Sequence, residues 1–184
     1  MRIIILLTGM PGSGKSVVSE VAREMDIEVF NMGDVVREEV SRRGLEPTPE
    51  NILRVATELR RRFGQDIIAR RVAEKITRSR SKVVLVDGVR SLYEVEVFRN
   101  LGKCIVMAVH ASPKTRYERL MRRGRPGDPR NWSEFEERDR TELSFGIGNV
   151  IALADVMIVN ESSLEEFKRT VTKHLEEVLR EIED

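Results

Sequence analysis

Apolar positions along this chain follow two alternating patterns. Short runs rich in β-branched residues stand at Ile3–Leu7, Ile27–Phe30, Val83–Val86, Ile105–Val109 and Val156–Val159. Runs of this kind, too short for helices, predict strands. Between them the apolar residues recur at helical spacing. Val17, Val18, Val21, Ala22 and Met25 share one helix face, and Leu164, Phe167, Val171, Leu175, Val178 and Ile182 share another. Strands alternating with helices predict an α/β fold, a parallel sheet with helices on both faces.

Helix starts are legible as well. Thr48-Pro49 and Ser112-Pro113 each set a capping hydroxyl before a first-turn proline. Ser91 with Glu94, Ser133 with Glu136 and Ser163 with Glu166 have capping-box spacing. Two stretches break the alternation. Residues 34–80 read as three consecutive helices, and residues 122–150 combine the loop Arg123-Gly124-Arg125-Pro126-Gly127-Asp128-Pro129 with a charged helix. With 184 residues the chain is expected to form a single domain, residues 1–184, with these two stretches as excursions from the sheet at about 32–80 and about 122–150.

Composition narrows the class. One cysteine, Cys104, cannot close an internal disulfide or build a cysteine-cluster zinc site, which points to a reducing, cytoplasmic setting. No apolar run approaches the ~18–20 residues that span a bilayer, and Met1-Arg2-Ile3 runs straight into a strand with no separate signal region. Net charge is only +1, but residues 114–130 hold seven Lys/Arg against two Asp/Glu, and residues 32–80 hold twelve against eight. Positive charge gathered in the two excursions of a nearly neutral chain suits a small polyphosphate ligand better than nucleic acid.

The strongest chemical signal is Gly9-Met10-Pro11-Gly12-Ser13-Gly14-Lys15-Ser16. It fits the phosphate-binding loop G-x-x-x-x-G-K-[ST] and lies between a predicted strand and a predicted helix, as that loop requires. Glycines let backbone N–H groups curl around an anion, and the helix N-terminus adds partial positive charge. Lys15 is expected to reach the β and γ phosphates of ATP, and Ser16 to ligate Mg²⁺. Val83–Val86 ends in Asp87, a carboxylate at the ligand-binding edge of the sheet, expected to hold Mg²⁺ through water. Gly88 follows Asp87 where hydrolytic ATPases usually carry a water-activating glutamate, which favours transfer to an acceptor over hydrolysis. No Asn-Lys-x-Asp guanine-reading motif is present; Val159-Asn160-Glu161-Ser162 is the nearest position.

At these motifs the chain resembles adenylate kinases. Asn31-Met32-Gly33-Asp34-Val35-Val36-Arg37 resembles their monophosphate-binding segment, Asp87-Gly88-Val89-Arg90 their second arginine motif, and Arg119 with Arg123 the spacing where their lid begins. Over nearly its whole length the chain is similar to an archaeal group of adenylate-kinase-related P-loop proteins. Thr8–Ser16, Asp87–Ser91, Arg138–Glu142 with Gly146-Ile147-Gly148, and Ala154-Asp155 carry that likeness. The resemblance implies strand order 2-3-1-4-5, a helical monophosphate-binding excursion and a short lid. The chain departs from the adenylate kinase pattern at Met32, where threonine is usual, in lacking the glutamine expected near Ser91, and in a lid without a cysteine cluster.

Roles then follow from charge, because transfer between two polyanions needs cations around both and exclusion of water. Gly9, Pro11, Gly12, Ser13, Gly14 and Lys15 are expected to cradle ATP, with Asn160 beside the nucleotide by resemblance to dephospho-coenzyme A kinases. Gly33, Arg37 and Arg90 are expected at the acceptor α-phosphate. Arg119 and Arg123 would approach the donor, Arg119 by stacking on its base, and Arg138 and Arg140 would swing in from the lid. Asp34 is the general base if the acceptor is a hydroxyl, as in dephospho-coenzyme A, and orders the Arg37 helix as N-cap or first-turn acid if it is AMP or another nucleoside monophosphate. A third possibility is a switch that binds ATP or AMP with little turnover. Arg60-Arg61-Arg62 reads as solvated surface charge, Cys104 as core, and Trp132 as hinge packing.

Overall fold

The computed structural model describes residues 2–180. The chain runs β1 (Ile3–Thr8), α1 (Lys15–Glu24), β2 (Glu28–Asn31), α2 (Met32–Arg42), α3 (Pro49–Phe63), α4 (Ile67–Arg78), β3 (Val83–Asp87), α5 (Leu92–Arg99), β4 (Lys103–His110), α6 (Pro113–Arg123), α7 (Trp132–Ser144), α8 (Ile147–Ala152), β5 (Val156–Val159) and α9 (Leu164–Arg180). The five strands form one sheet in the order β2-β3-β1-β4-β5, every pair parallel. All five predicted strands and the strand order implied by the resemblance are present.

Alternation along β1 splits the core into two layers. Ile3, Ile5 and Leu7 face α1 and α9, packing on Val18, Val21, Phe167, Val171 and Leu175. Ile4 and Leu6 face the opposite way, into a layer built from α2, α3, α4, α5 and α8. The last helix buries Phe167, Val171, Leu175 and Val178 as its spacing predicts, but Leu164 at its first turn is exposed, and Ile182 lies outside the described residues. No helix among the described residues is long and apolar enough to cross a membrane.

Caps with a single local solution fall where predicted. The hydroxyls of Thr48, Ser91 and Ser112 accept the backbone N–H three residues on, and Ser163 accepts that of Glu166. The predicted Ser133–Glu136 cap is not used. Asn131 takes the position two residues earlier, accepting from Glu134 N, while the Glu134 carboxylate accepts from Arg130 N at 2.8 Å. The shift adds Trp132 to the helix, where it packs at 5.1 Å on both Tyr117 and Phe135 at the foot of α7.

The two excursions are smaller than predicted. Three helices do occupy residues 32–78, but α4 packs back on β2 and α5 and buries Ile68, Val72 and Ile76, so the segment leaves the sheet chiefly over α2 and α3. Buried Glu39 ties α2 to α4 through Arg71 and also holds Arg42 and Arg43. These guanidinium hydrogen bonds, led by that of Arg42, hold the Glu39 carboxyl down to about 2 despite its burial. Residues 147–152, placed in the lid by sequence, form α8 instead. That helix packs on β1 and β4 and buries Ile147 and Val150. Of the residues expected in the lid, the loop after α6 and α7 are the part that does not pack on the sheet in this way.

Candidate functional site

The loop between β1 and α1 is shaped for close approach. A Cβ on Gly9 would stand 2.5 Å from the Val109 carbonyl oxygen, and one on Gly14 2.3 Å from Asn160 Nδ2. Both glycines also have φ in the region that L side chains rarely adopt, +148° and +111°. The loop is thus pressed between the tip of β4 and the turn after β5, with its amides at the start of α1. Asn160 is buried and donates to the Ser13 carbonyl at 2.8 Å. Arg119 donates to the Asn160 carbonyl at 3.0 Å and approaches Ser13 O at 3.5 Å, so it buttresses the loop from the outside. Buried Arg116 donates to Pro11 O at 3.2 Å. Ser13 Oγ, buried inside the loop, has no hydrogen-bond partner among the described residues. We expect Gly14→Ala to cost about 1–3 kcal/mol of stability and to weaken binding of an ATP analogue, read by calorimetry; unchanged affinity would refute this account of the loop.

Lys15 opens α1 and folds over the loop, with Nζ 2.5 Å from the Gly9 carbonyl. Burial pushes its ammonium down to about 8, and Arg90 and Arg138 act in the same direction, while Asp87 and Glu142 oppose it. Asp87 closes β3 in register with Leu7 and Asn31. Its Oδ2 accepts from Ser19 Oγ at 2.9 Å and from Asn31 Nδ2 at 3.4 Å. Among the described residues Oδ1 accepts no hydrogen bond, and Ser16 stands exposed in the first turn of α1. A hydroxyl, a carboxylate with a free oxygen and a glycine cradle are a donor set that fits Mg²⁺ with a triphosphate.

At the end of β2 Asn31 caps α2, accepting from Gly33 N at 2.8 Å. This settles the cap in favour of Asn31, and Asp34 sits in the first turn with Oδ1 2.5 Å from Arg37 Nη2. The pair is about half exposed. Gly33 leaves room here, since a Cβ would meet Asn31 Oδ1 at 2.9 Å and Arg37 Nη1 at 3.0 Å. Arg90 follows β3, its Nε donating to Glu142 Oε2 at 2.8 Å. Although burial acts against the guanidinium, Glu142 keeps its proton affinity above the ordinary value.

The arginines expected to act from the lid or at its hinge separate. Arg123 and Arg138 converge on Asp128, with Arg123 Nη2 at 2.5 Å and Arg138 Nη1 at 3.1 Å from Oδ1. Burial raises the Asp128 carboxyl, but these two partners and the Arg125 amide outweigh it and hold it at about 2. Arg140 is exposed and makes no hydrogen bond or ion pair among the described residues. Its position two residues from both Arg138 and Glu142 puts it on the far face of α7, away from Lys15.

Several side chains take positions that the sequence reading did not assign them. Arg60, expected at the surface, is 8% exposed; it pairs with Glu94 at 3.3 Å and lies over the Phe145 ring, while Arg61 and Arg62 are exposed as expected. Arg116 grips Asp139 through both terminal nitrogens and lies over Phe135. Ser19, Asn31, Glu94 and Glu142 each place a residue the motifs had named. Helical spacing could have found Ser19, which is one turn from Ser16 on α1; the partners of Arg116 and Arg90 lie 23 and 52 residues away and leave no local signal.

A five-stranded parallel sheet in this order, with a glycine cradle at the tip of β1 and an aspartate ending the neighbouring β3, defines a P-loop kinase-like fold. A family model described as an AAA domain (AAA_17) matches residues 8–136. A UPF0200 protein from Hyperthermus butylicus is 64% identical over 167 residues, 91% of this chain and 90% of the relative. The chain belongs to the UPF0200 family, in keeping with the archaeal P-loop resemblance. Among solved structures, TT1252 from Thermus thermophilus superposes with a TM-score of 0.67 at 22% identity, covering 96% of this chain and 97% of that one. Shikimate kinase from Acinetobacter baumannii in complex with shikimate gives 0.59 at 17%, covering 98% and 94%. Both share the fold.

Proposed function

We propose that the protein transfers the γ-phosphoryl group of ATP to AMP or another nucleoside monophosphate. One observation carries the reading: the segment that leads from β3 to Arg90 is fastened to the mouth of the glycine loop, Gly88 N donating to Leu7 O at 3.1 Å and Thr8 Oγ1 to Val89 O at 2.8 Å. It supports a donor cradle beside an acceptor arginine, the arrangement that phosphoryl transfer between polyanions requires.

In this reading the loop amides and Lys15 hold the β and γ phosphates, and Arg90 with Arg37 holds the acceptor α-phosphate. An acceptor oxygen attacks the γ phosphorus, the bond to the bridging oxygen breaks, and ADP leaves with the electron pair. Ser16 and Asp87 would hold Mg²⁺, which neutralises charge on the β and γ oxygens when bound. Arg138 adds positive charge from the lid. The acceptor oxygen is already ionised, so no base is needed, and the engagement of Asp34 by Arg37 supports a helix-ordering role for it.

Labelled ATP incubated with a panel of nucleoside monophosphates and dephospho-coenzyme A tests this. Labelled nucleoside diphosphates are expected, with Asp34→Asn keeping activity within about tenfold. Label on a hydroxyl of dephospho-coenzyme A, lost in Asp34→Asn, would replace the reading with hydroxyl transfer. Tight ATP binding with no product from any acceptor would leave a nucleotide switch.

A further inference from the structure

We infer that Glu142 is a positioning residue for the acceptor: from α7 it aims the Arg90 guanidinium, so that acceptor binding requires α7 to be docked. The inference rests on the reading of Arg90 as an acceptor-phosphate ligand.

Arg90 is held at two points and left open at a third. Its backbone N–H donates to Glu94 Oε2 at 2.7 Å, and its Nε to Glu142 Oε2 at 2.8 Å. Its Nη1 and Nη2 make no hydrogen bond among the described residues. A guanidinium is planar, so fixing Nε orients the whole fork while its terminal edge stays free for two phosphate oxygens. The same helix supplies the contrast. Asp139 takes both terminal nitrogens of Arg116, at 2.8 and 2.5 Å, and leaves that arginine no edge to offer an anion. A carboxylate standing in for the acceptor phosphate would be expected to grip Arg90 in that two-pronged way. Glu142 does not.

The support for Arg90 comes from three helices. Glu94 on α5 is held by Arg60 of α3, which lies 5.0 Å over the Phe145 ring at the end of α7. Glu142 is itself one turn along α7 from Arg138 and Asp139, which fasten that helix to the lid loop and to Arg116. The lid loop reaches the start of α3, where a Cβ on Gly127 would meet Pro49 at 2.9 Å. Moving α7 away would therefore release Arg90 Nε, from which no other carboxylate accepts among the described residues.

The test is a steady-state comparison of Arg90→Ala, Glu142→Ala and Glu142→Gln, with ATP and AMP as substrates, alongside calorimetric binding of AMP. Glu142→Ala is expected to raise the KM and Kd for AMP by about tenfold or more, as Arg90→Ala does, with the KM for ATP changed less than about twofold. Glu142→Gln, whose amide oxygen still accepts from Nε, should fall between; it also carries the test if the alanine variant folds poorly. If Arg90→Ala weakens AMP while both Glu142 variants leave it unchanged or tighten it, Glu142 does not position Arg90 and the inference is overturned. If the wild type does not take AMP, or Arg90→Ala leaves it unaffected, the acceptor reading itself fails and the inference with it.

Discussion

Lys15→Ala is expected to lower kcat/KM for phosphoryl transfer by about 10²–10³-fold. The ammonium sits over the glycine loop, which the proposed function makes the cradle of the β and γ phosphates. Its burial sets the pH dependence too. The free protein holds this ammonium with a pKa of about 8, against 10.5 for an ordinary lysine. Raising the pH through 8 removes the charge, so kcat/KM for ATP should fall on that alkaline limb. Bound phosphates favour the charged form and move the limb upward in kcat. Lys15→Arg, whose guanidinium stays charged, should lack the limb even at reduced rate.

The same shift has a stability consequence of opposite sign. Between pH 8 and 10.5 the unfolded chain holds a proton at Lys15 that the folded chain has lost. Stability contributed by this group therefore rises with pH across that window. Below it the buried charge is a cost, so Lys15→Ala should stabilise the protein at neutral pH by up to about 3 kcal/mol. Denaturant unfolding at pH 7 and pH 9.5 checks this. A lysine variant that loses activity and stability together at neutral pH would contradict the assignment.

Arg116→Ala is expected to have the largest effect on stability. The side chain is buried, bridges α6 to Asp139 of α7, donates to Pro11 and Ala111 carbonyls, and lies 4.9 Å over the Phe135 ring. Removing it leaves Asp139, 16% exposed, without its partner. Breaking one side of a buried pair costs about 3–5 kcal/mol. Denaturant unfolding should show that loss, and ATP affinity should fall as the Pro11 carbonyl loses its donor. Replacing both Arg116 and Asp139 with leucine should recover much of the stability, because no charge is then stranded. It should not recover the grip on Pro11. A loss below about 1 kcal/mol in Arg116→Ala would place the pair among weak surface contacts.

Much of this molecule was legible before any coordinates. The strands are short apolar runs whose burial needs no partner to be named. The caps at Thr48, Ser91 and Ser112 are contacts over three residues. The glycine loop is a backbone shape that few residues can adopt. Misreadings came where two local solutions competed or where distance along the chain hid a partner. Asn131 and Ser133 both offer a cap, and the packing of Trp132 on Tyr117 goes with the earlier one. Arg60 looks like its neighbours Arg61 and Arg62, yet the turn of α3 carries it alone to Glu94 and Phe145. Arg138 and Arg140 share a charge and a segment, and helical geometry sends them to opposite faces.

By itself the sequence determined the α/β layering, the glycine loop between β1 and α1, and the aspartate at the end of β3. Each depends on backbone preference or on hydrophobic period, which act over a few residues. Only the tertiary structure decided where each of the many arginines stands and which partner aims it. Arg90 meets Glu142, Arg116 meets Asp139 and Arg123 meets Asp128 because helices fold together, and charge pairing through space leaves no mark in spacing along the chain.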